Sequence, residues 1–478
     1  MNARSKTLAL TALAFVVANF MTVSTLDAQR GGRRRPAPQG EGEAKPAEPA
    51  AAEKPDDKKA DDKKAADKKP EKLTAYVGGT VHIGNGSTLR RATVLVKGSK
   101  IEAVGRDLEI PKEATRVDCT GKHLSPGFFM FDVTGVSAPR SVGKDEKYAD
   151  GIDPFNPMMK RALASGITSY LASGGGGSPM GGTSAVVKLL PGNIEDVVIQ
   201  EDVVYSMRVP LGAEGWRTFK KSIEDTKKFS ADQADFEKKR AAGDKSAKPP
   251  QKPKDADILQ RVLDGSAKVR VGGGGGGGPS RRMFGGGGGM TKPQILEALE
   301  VAKLIGHGII IDSPAEAWLV ADEIAATRSS CILKPRIHLD REKTRSDPHG
   351  TRIECAAILA KAGVPQHILP PGGLMGAGLG NGGILGRDLN TPTVDPCFAI
   401  RGGMPEDEAL LTLTLYPAMM VGVEARIGSL EPGKDADLLI LDGPPLHYRT
   451  FVETAIVHGI TAYEKSREPF YKDLPSRQ

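Results

Sequence analysis

The nitrogen donors of this chain are eight histidines, at positions 82, 123, 307, 338, 349, 367, 447 and 458, and no two of them stand two residues apart. That spacing matters because alternate side chains of a strand share a face, so an i, i+2 pair could grip one metal ion. His338 closes a predicted strand in "PRIHLDRE", and His367 sits in the strand before "LPPGG". These two are the best placed to reach a zinc ion. His82, His123, His447 and His458 fall in short strands near the chain ends and read as structural or surface residues. His307 opens a predicted strand, the end remote from where catalytic groups collect. Lys188, in "AVVKLL", is a lone strand lysine, a type more often paired with a carboxylate than catalytic.

Other chemistries leave no pattern. Cysteines 119, 331, 355 and 397 contain no CxxC and are too scattered for a disulfide framework, although one pair could bridge in an oxidising compartment. No Gly-x-Ser-x-Gly elbow and no Walker GxxxxGK[ST] occurs. The glycine runs in "VGGGGGGGPSRRMFGGGGGM", residues 271–290, match a dinucleotide fingerprint trivially, but no helix opens directly after either run. The formal charge is +7, but the blocks that dominate the count mix signs, as in "KPDDKKADDKKAADKKPEK", which argues against a nucleic-acid partner.

The elements that would position these residues follow from periodicity. "AYVGGTVHIGNG", "ATVLVKGSKIEAVG" and "TRVDCTGKHL" read as a small antiparallel sheet, and the same texture returns in "DADLLILDG" and "VETAIVHGITAYE". Between them strands and helices alternate. "ITSYLAS", "SAVVKLL", "HGIIID" and "CILKPRI" are extended; "DPFNPMMKRALASG", "TKPQILEALEVAKLIG", "AEAWLVADEIAATRS", "TRIECAAILAKAG" and "PEDEALLTLTLYPAMMVG" are helical. The alternation implies a mainly parallel sheet with crossover helices, and its roughly 300 residues suit a (β/α)8 barrel. Residues 217–255 form a charged, partly helical insertion.

The N-terminus reads as a signal peptide over residues 1–28, with Arg4 and Lys6 before an apolar run and a small-residue cleavage site. Residues 29–72 are Ala, Pro, Lys, Asp and Glu and cannot bury enough surface to fold. The expectation is an exported protein of the periplasm or cell envelope, soluble once cleaved, with weak envelope contact through "RGGRRRP".

"RIGSLEPGKDADLLILDGPPL", residues 426–446, resembles the C-terminal signature of the amidohydrolase superfamily. "LTLYPAMMVGV" before it matches that family's Thr-x-x-Pro-Ala helix at Thr414, Pro417 and Ala418, and "GGTVHIGNG…VLVKGSKIEAVG…VDCTGKHLSPGF" resembles its entry into the barrel. "MGGTSAVVKLL" is similar to the imidazolonepropionase-like branch. The resemblance implies an α/β fold: a (β/α)8 TIM-like barrel over 125–424, and a composite β-sandwich from 73–124 and 425–466. It also implies a metal-dependent hydrolase of non-peptide carbon–nitrogen bonds.

The ligand positions of that family depart from its pattern. Pro-Gly-x-x-Asp-x-His-x-His falls on Met130, Asp132 and Thr134; a later histidine falls on Asp312 and the catalytic aspartate near Pro371. Glycines 272–278 stand where another histidine pattern should follow. The alignment turns Asp132 and Asp312 towards the barrel mouth, where they could hold a hard cation, act as an acid/base pair, or bond backbone or arginine. Lys188 corresponds to the family's bridging lysine. The leading expectation is a catalytically degenerate binding or scaffolding member with no cofactor, pairing with an active relative or with itself. An active amide or cyclic-amide hydrolase around Asp132 and Asp312, taking zinc or another divalent metal only if the site is rebuilt, is the second. An envelope-binding module is the third.

Overall fold

The computed structural model describes residues 72–131, 133, 136, 151–173, 180–182, 184–192, 197–209, 211–273, 289–336, 348–370 and 392–468. The expected signal peptide over residues 1–28, the charged segment to residue 71, the glycine runs over 274–288, Asp132, Thr134, His338 and Pro371 lie outside the described residues. Among those described, no helix is long and apolar enough to cross a membrane.

Both ends of the chain enter one sheet. β1 (Leu73–His82), β2 (Thr88–Lys97) and β3 (Lys100–Gly105) are joined antiparallel, while β4 (Thr115–Asp118) and β5 (His123–Pro126) both lie parallel to β1. The purely antiparallel expectation for this region is therefore corrected. After β3 the chain crosses through residues 106–114 and returns in the direction of β1, which a tight hairpin would not allow.

Three further strands, β6 (Phe128–Phe131), β7 (Ile167–Ser173) and β9 (Ser184–Lys188), form a second sheet with β10 (Val198–Glu201) in the order β10-β9-β7-β6. β6 and β7 are parallel across helix α1 (Pro157–Ala164). Asn156 caps that helix, its side chain accepting from the Met158 N–H, and Pro157 needs no partner in the first turn.

The third sheet carries Asp312. Its order is β15-β14-β13-β12-β11-β8, with β8 at Met180–Gly181 and β11 at Val204–Val209. β11, β12 (Lys268–Gly273), β13 (Ile310–Asp312), β14 (Ser330–Leu333) and β15 (Gln366–Ile368) run parallel, each paired with the next. Helices cross between them: α2 (Gly212–Ala241) and α3 (Ala256–Leu263), then α4 (Lys292–Ile305), α5 (Ala321–Ala326) and α6 (Cys355–Lys361). The insertion is thus more regular than its charge suggests. α2 runs for 30 residues, and only Phe219, Ile223 and Thr226 along it are buried, a single stripe on a surface helix.

β16 (Leu438–Leu441) welds the terminal sheet to the rest. It pairs antiparallel with β5 and with β17 (Val452–Val457), which pairs with β18 (Ile460–Glu464). Its four residues are all buried. Leu438 and Ile440 pack with Val81, Val94 and Leu124, whereas Leu439 and Leu441 join the main core with Phe129, Leu163 and Tyr170. Alternating side chains give the strand two dry faces, which is why "LLIL" shows no polar alternation.

Two predicted helices are broken. "AEAWLVADEIAATRS" forms a short 3-10 turn at Ala317–Leu319 and then α5, the two separated at Val320. "PEDEALLTLTLYPAMMVG" forms α8 (Glu406–Leu411) and α9 (Leu415–Val421), after α7 (Val394–Arg401). Pro417 has no N–H for the Leu413 carbonyl, and that carbonyl instead accepts from the Phe129 N–H at 2.8 Å. A helix break in sequence becomes a tie to β6 in space.

Candidate functional site

In a parallel sheet flanked by crossover helices, ligands gather beyond the carboxyl ends of the strands. Register decides which side chains meet there. Gly272, Asp312 and Ile332 lie side by side across β12, β13 and β14. Arg270 stands two residues before Gly272 and Lys334 two residues after Ile332, so period-two alternation puts Arg270, Asp312 and Lys334 on one face. Gly272 offers no side chain between them, and a Cβ placed there would meet nothing within 4 Å. The long Arg270 side chain crosses this gap.

The result is a compact ion cluster. Asp312 Oδ2 accepts from Arg270 Nη2 at 2.6 Å and Nε at 3.1 Å, and Oδ1 accepts from Lys334 Nζ at 3.1 Å and Ser313 Oγ at 2.7 Å. The three charged side chains are 11%, 20% and 18% exposed, in the order Arg270, Asp312, Lys334. Burial by itself would push the Asp312 carboxyl up. The Arg270 and Lys334 charges and the Ser313 hydroxyl outweigh it and hold the group well below the usual carboxylate range. Ser313 adopts a left-handed backbone, φ 56°, unusual for a residue with a side chain. Beyond Lys334, Arg336 grips Asp395 of α7 with two bonds of 2.9 Å.

The other candidates lie apart from this cluster. His367 is fully buried on β15; its Nδ1 lies 2.7 Å from the Thr412 carbonyl, and its Nε2 accepts from the Phe131 N–H at 3.2 Å. With Nδ1 donating and Nε2 accepting, the ring is a neutral cross-tie between β6, β15 and the break between α8 and α9. Lys188 is on β9, in another sheet. Its amine lies 2.7 Å from Asp435 Oδ2 and 2.9 Å from Asp437 Oδ2, all three groups buried. Burial raises the Asp435 carboxyl, but Lys188, Lys100 and Arg426 together bring it down to about 2. His82 and His123 meet at 2.8 Å in the terminal sheet, where burial and the neighbouring ring lower His82 to about 4. His307 Nε2 lies 2.8 Å from the Leu263 carbonyl, below the start of β13.

Do these residues fit the divalent metal that the fold family implies? Among the described residues, no group of three or more His, Cys, Asp or Glu side chains is placed to hold one. Asp312 has both oxygens on cations, His367 has both nitrogens on backbone, and Lys188 sits between two carboxylates. At an effective dielectric near 20, each fixed cation about 4 Å from a divalent ion opposes it by about 8 kcal/mol. These residues, as arranged, do not fit the metal.

Arg270 and Lys334 escaped the sequence reading. Their signals were present, a charged residue inside the apolar strand "KVRV" and a lysine directly after "CIL", but only strand register joins them to Asp312.

Comparison with known proteins agrees with this architecture. Residues 389–471 match the profile described as "Amidohydrolase family". Imidazolonepropionase of Porphyromonas gingivalis is 33% identical over 96 residues, a match spanning 17% of this chain and only 23% of that enzyme. An Escherichia coli (strain K12) protein, provisionally named N-acetylgalactosamine-6-phosphate deacetylase, is 28% identical over 146 residues, 29% of this chain and 80% of that protein. The solved structure of an amidohydrolase from Thermotoga maritima MSB8 superposes with a TM-score of 0.62 at 24% identity, covering 82% of this chain and 100% of that one. That likeness gives the fold, a mixed α/β, TIM-barrel-like arrangement. The C-terminal signature and the matched segments resemble the amidohydrolase superfamily, and the fold is of the same kind.

Proposed function

We propose that this protein uses the amidohydrolase frame to bind a ligand at the strand ends and does not hydrolyse carbon–nitrogen bonds with a metal-bound hydroxide. One observation carries the reading: Asp312, at a family ligand position, has both carboxylate oxygens bonded to the cations Arg270 and Lys334. A carboxylate held so far below neutrality is also a poor proton carrier, which counts against an acid–base role. The parallel run β11–β15 and the sheet β10-β9-β7-β6 support closure into a (β/α)8 barrel. The shared terminal sheet supports a composite β-sandwich built from both chain ends. In this reading the chain is exported by its leader, held on its charged tether, and pairs with an active relative or a second copy of itself.

The test is turnover. Full-length protein is assayed against amides, lactams and dipeptides with zinc, manganese or iron added. Rates indistinguishable from those of Asp312→Asn are expected. Metal-stimulated hydrolysis that disappears in Asp312→Asn would overturn the proposal.

A further inference from the structure

Beside the ion cluster lies a cavity of ≈ 40 Å³ whose lining includes Ser313, Leu333, Lys334, Arg352, Ile353 and Ala356. Its walls are of two kinds. Leu333, Ile353 and Ala356 are apolar, and Pro314 and Pro335 extend that surface. Lys334 and Arg352 bring positive charge, with Ser313 beside them. The Arg352 guanidinium is steadied 4.8 Å over the Trp318 ring and lies 3.4 Å from Glu354. Arg270 and Lys334 both bond Asp312, and Arg352 lies beside Glu354, so cations and carboxylates alternate along this edge. A Lys334 amine bonded to one Asp312 oxygen retains further N–H donors.

We infer that this cavity is a binding site for a short-chain monocarboxylate, its carboxylate on Lys334 and Arg352 and its alkyl end against Leu333, Ile353 and Ala356. Size sets the class. A water needs roughly 10–15 Å³ measured in this way, so the cavity takes about three to four heavy atoms, the size of acetate, with propionate at the upper limit. The apolar walls disfavour phosphate, which has no hydrocarbon to bury. The inference deepens the binding role proposed above and rests on it for the absence of a competing metal at Asp312.

Calorimetric titration of the full-length protein with acetate, propionate, acetamide, phosphate and benzoate tests it. Acetate and propionate should bind, while acetamide, the neutral isostere, phosphate and benzoate should bind at least about tenfold more weakly. Lys334→Met and Arg352→Gln should each weaken acetate about tenfold; if Lys334→Met does not fold, Arg352→Gln and the wild-type ligand series still decide. Acetamide or phosphate matching acetate, or acetate affinity unchanged in the folded variants, would overturn the inference. Acetate binding through Lys334 in a protein that also hydrolyses amides would refute the proposed function and leave this site standing.

Discussion

Asp312 Oδ2 accepts two hydrogen bonds from the Arg270 guanidinium, at 2.6 and 3.1 Å, across the boundary between two parallel strands. Both side chains are mostly buried, so each depends on the other for solvation. Removing both partners should cost less than the two single removals added together. Arg270→Met is expected to destabilise the fold by about 2 kcal/mol, and Arg270→Met with Asp312→Leu by less than the sum of the single changes. Urea unfolding of the four proteins of this cycle measures the coupling. Strictly additive effects would mean that the pair contributes nothing.

His367 links three parts of the chain through two backbone bonds and an edge-on contact with the Phe131 ring, 4.7 Å between centroids. His367→Ala leaves a buried carbonyl and a buried N–H without this partner and opens a cavity. The expected loss is about 3–5 kcal/mol, read as a fall in thermal midpoint. A ligand role would predict the opposite profile, with stability kept and metal content lost.

How far was this legible beforehand? Lys188 and His367 stood out as residue types in apolar strands, and their burial followed from that setting. Their partners did not, because Asp435 and Thr412 lie more than forty positions away and are brought in by β16 and by the break between α8 and α9. Helix periodicity ran through that break, since "LLTLTLYPAMM" keeps its apolar spacing. Only the Pro417 ring, and a Leu413 carbonyl bonded elsewhere, interrupt it. The alternation of strands and helices was readable because each strand is a short apolar run bounded by turns. Sheet order and the parallel pairing of β4 and β5 with β1 depend on long-range packing that a local pattern does not encode.

The Asp435 carboxyl gives a pH dependence with a definite sign. Its folded pKa, about 2, lies below the usual value of 3.8, so its stabilisation is complete above about pH 4 and is lost as pH falls towards 2. The contribution is of order 2 kcal/mol. Unfolding free energy measured from pH 5 to pH 2 should therefore fall less steeply in Asp435→Asn than in the wild type.

Gly127, the glycine of "SPGF", cannot carry a side chain. An added Cβ would lie 1.9 Å from Thr168 Oγ1 and 2.6 Å from Thr168 Cβ, and Thr168 is itself buried. Gly127→Ala should cost about 1–3 kcal/mol, and Thr168→Gly in the same chain should recover part of it. Chemical denaturation of both variants checks this; full stability in Gly127→Ala would mean that β6 and β7 can separate freely.

The metal content of the full-length protein, purified from medium supplemented with zinc, manganese and iron and measured by mass spectrometry, decides whether Asp312 belongs to a metal site. With Arg270 and Lys334 holding Asp312, far less than one transition-metal ion per chain is expected, unchanged in Asp312→Asn. One or two ions per chain, lost in Asp312→Asn, would contradict it.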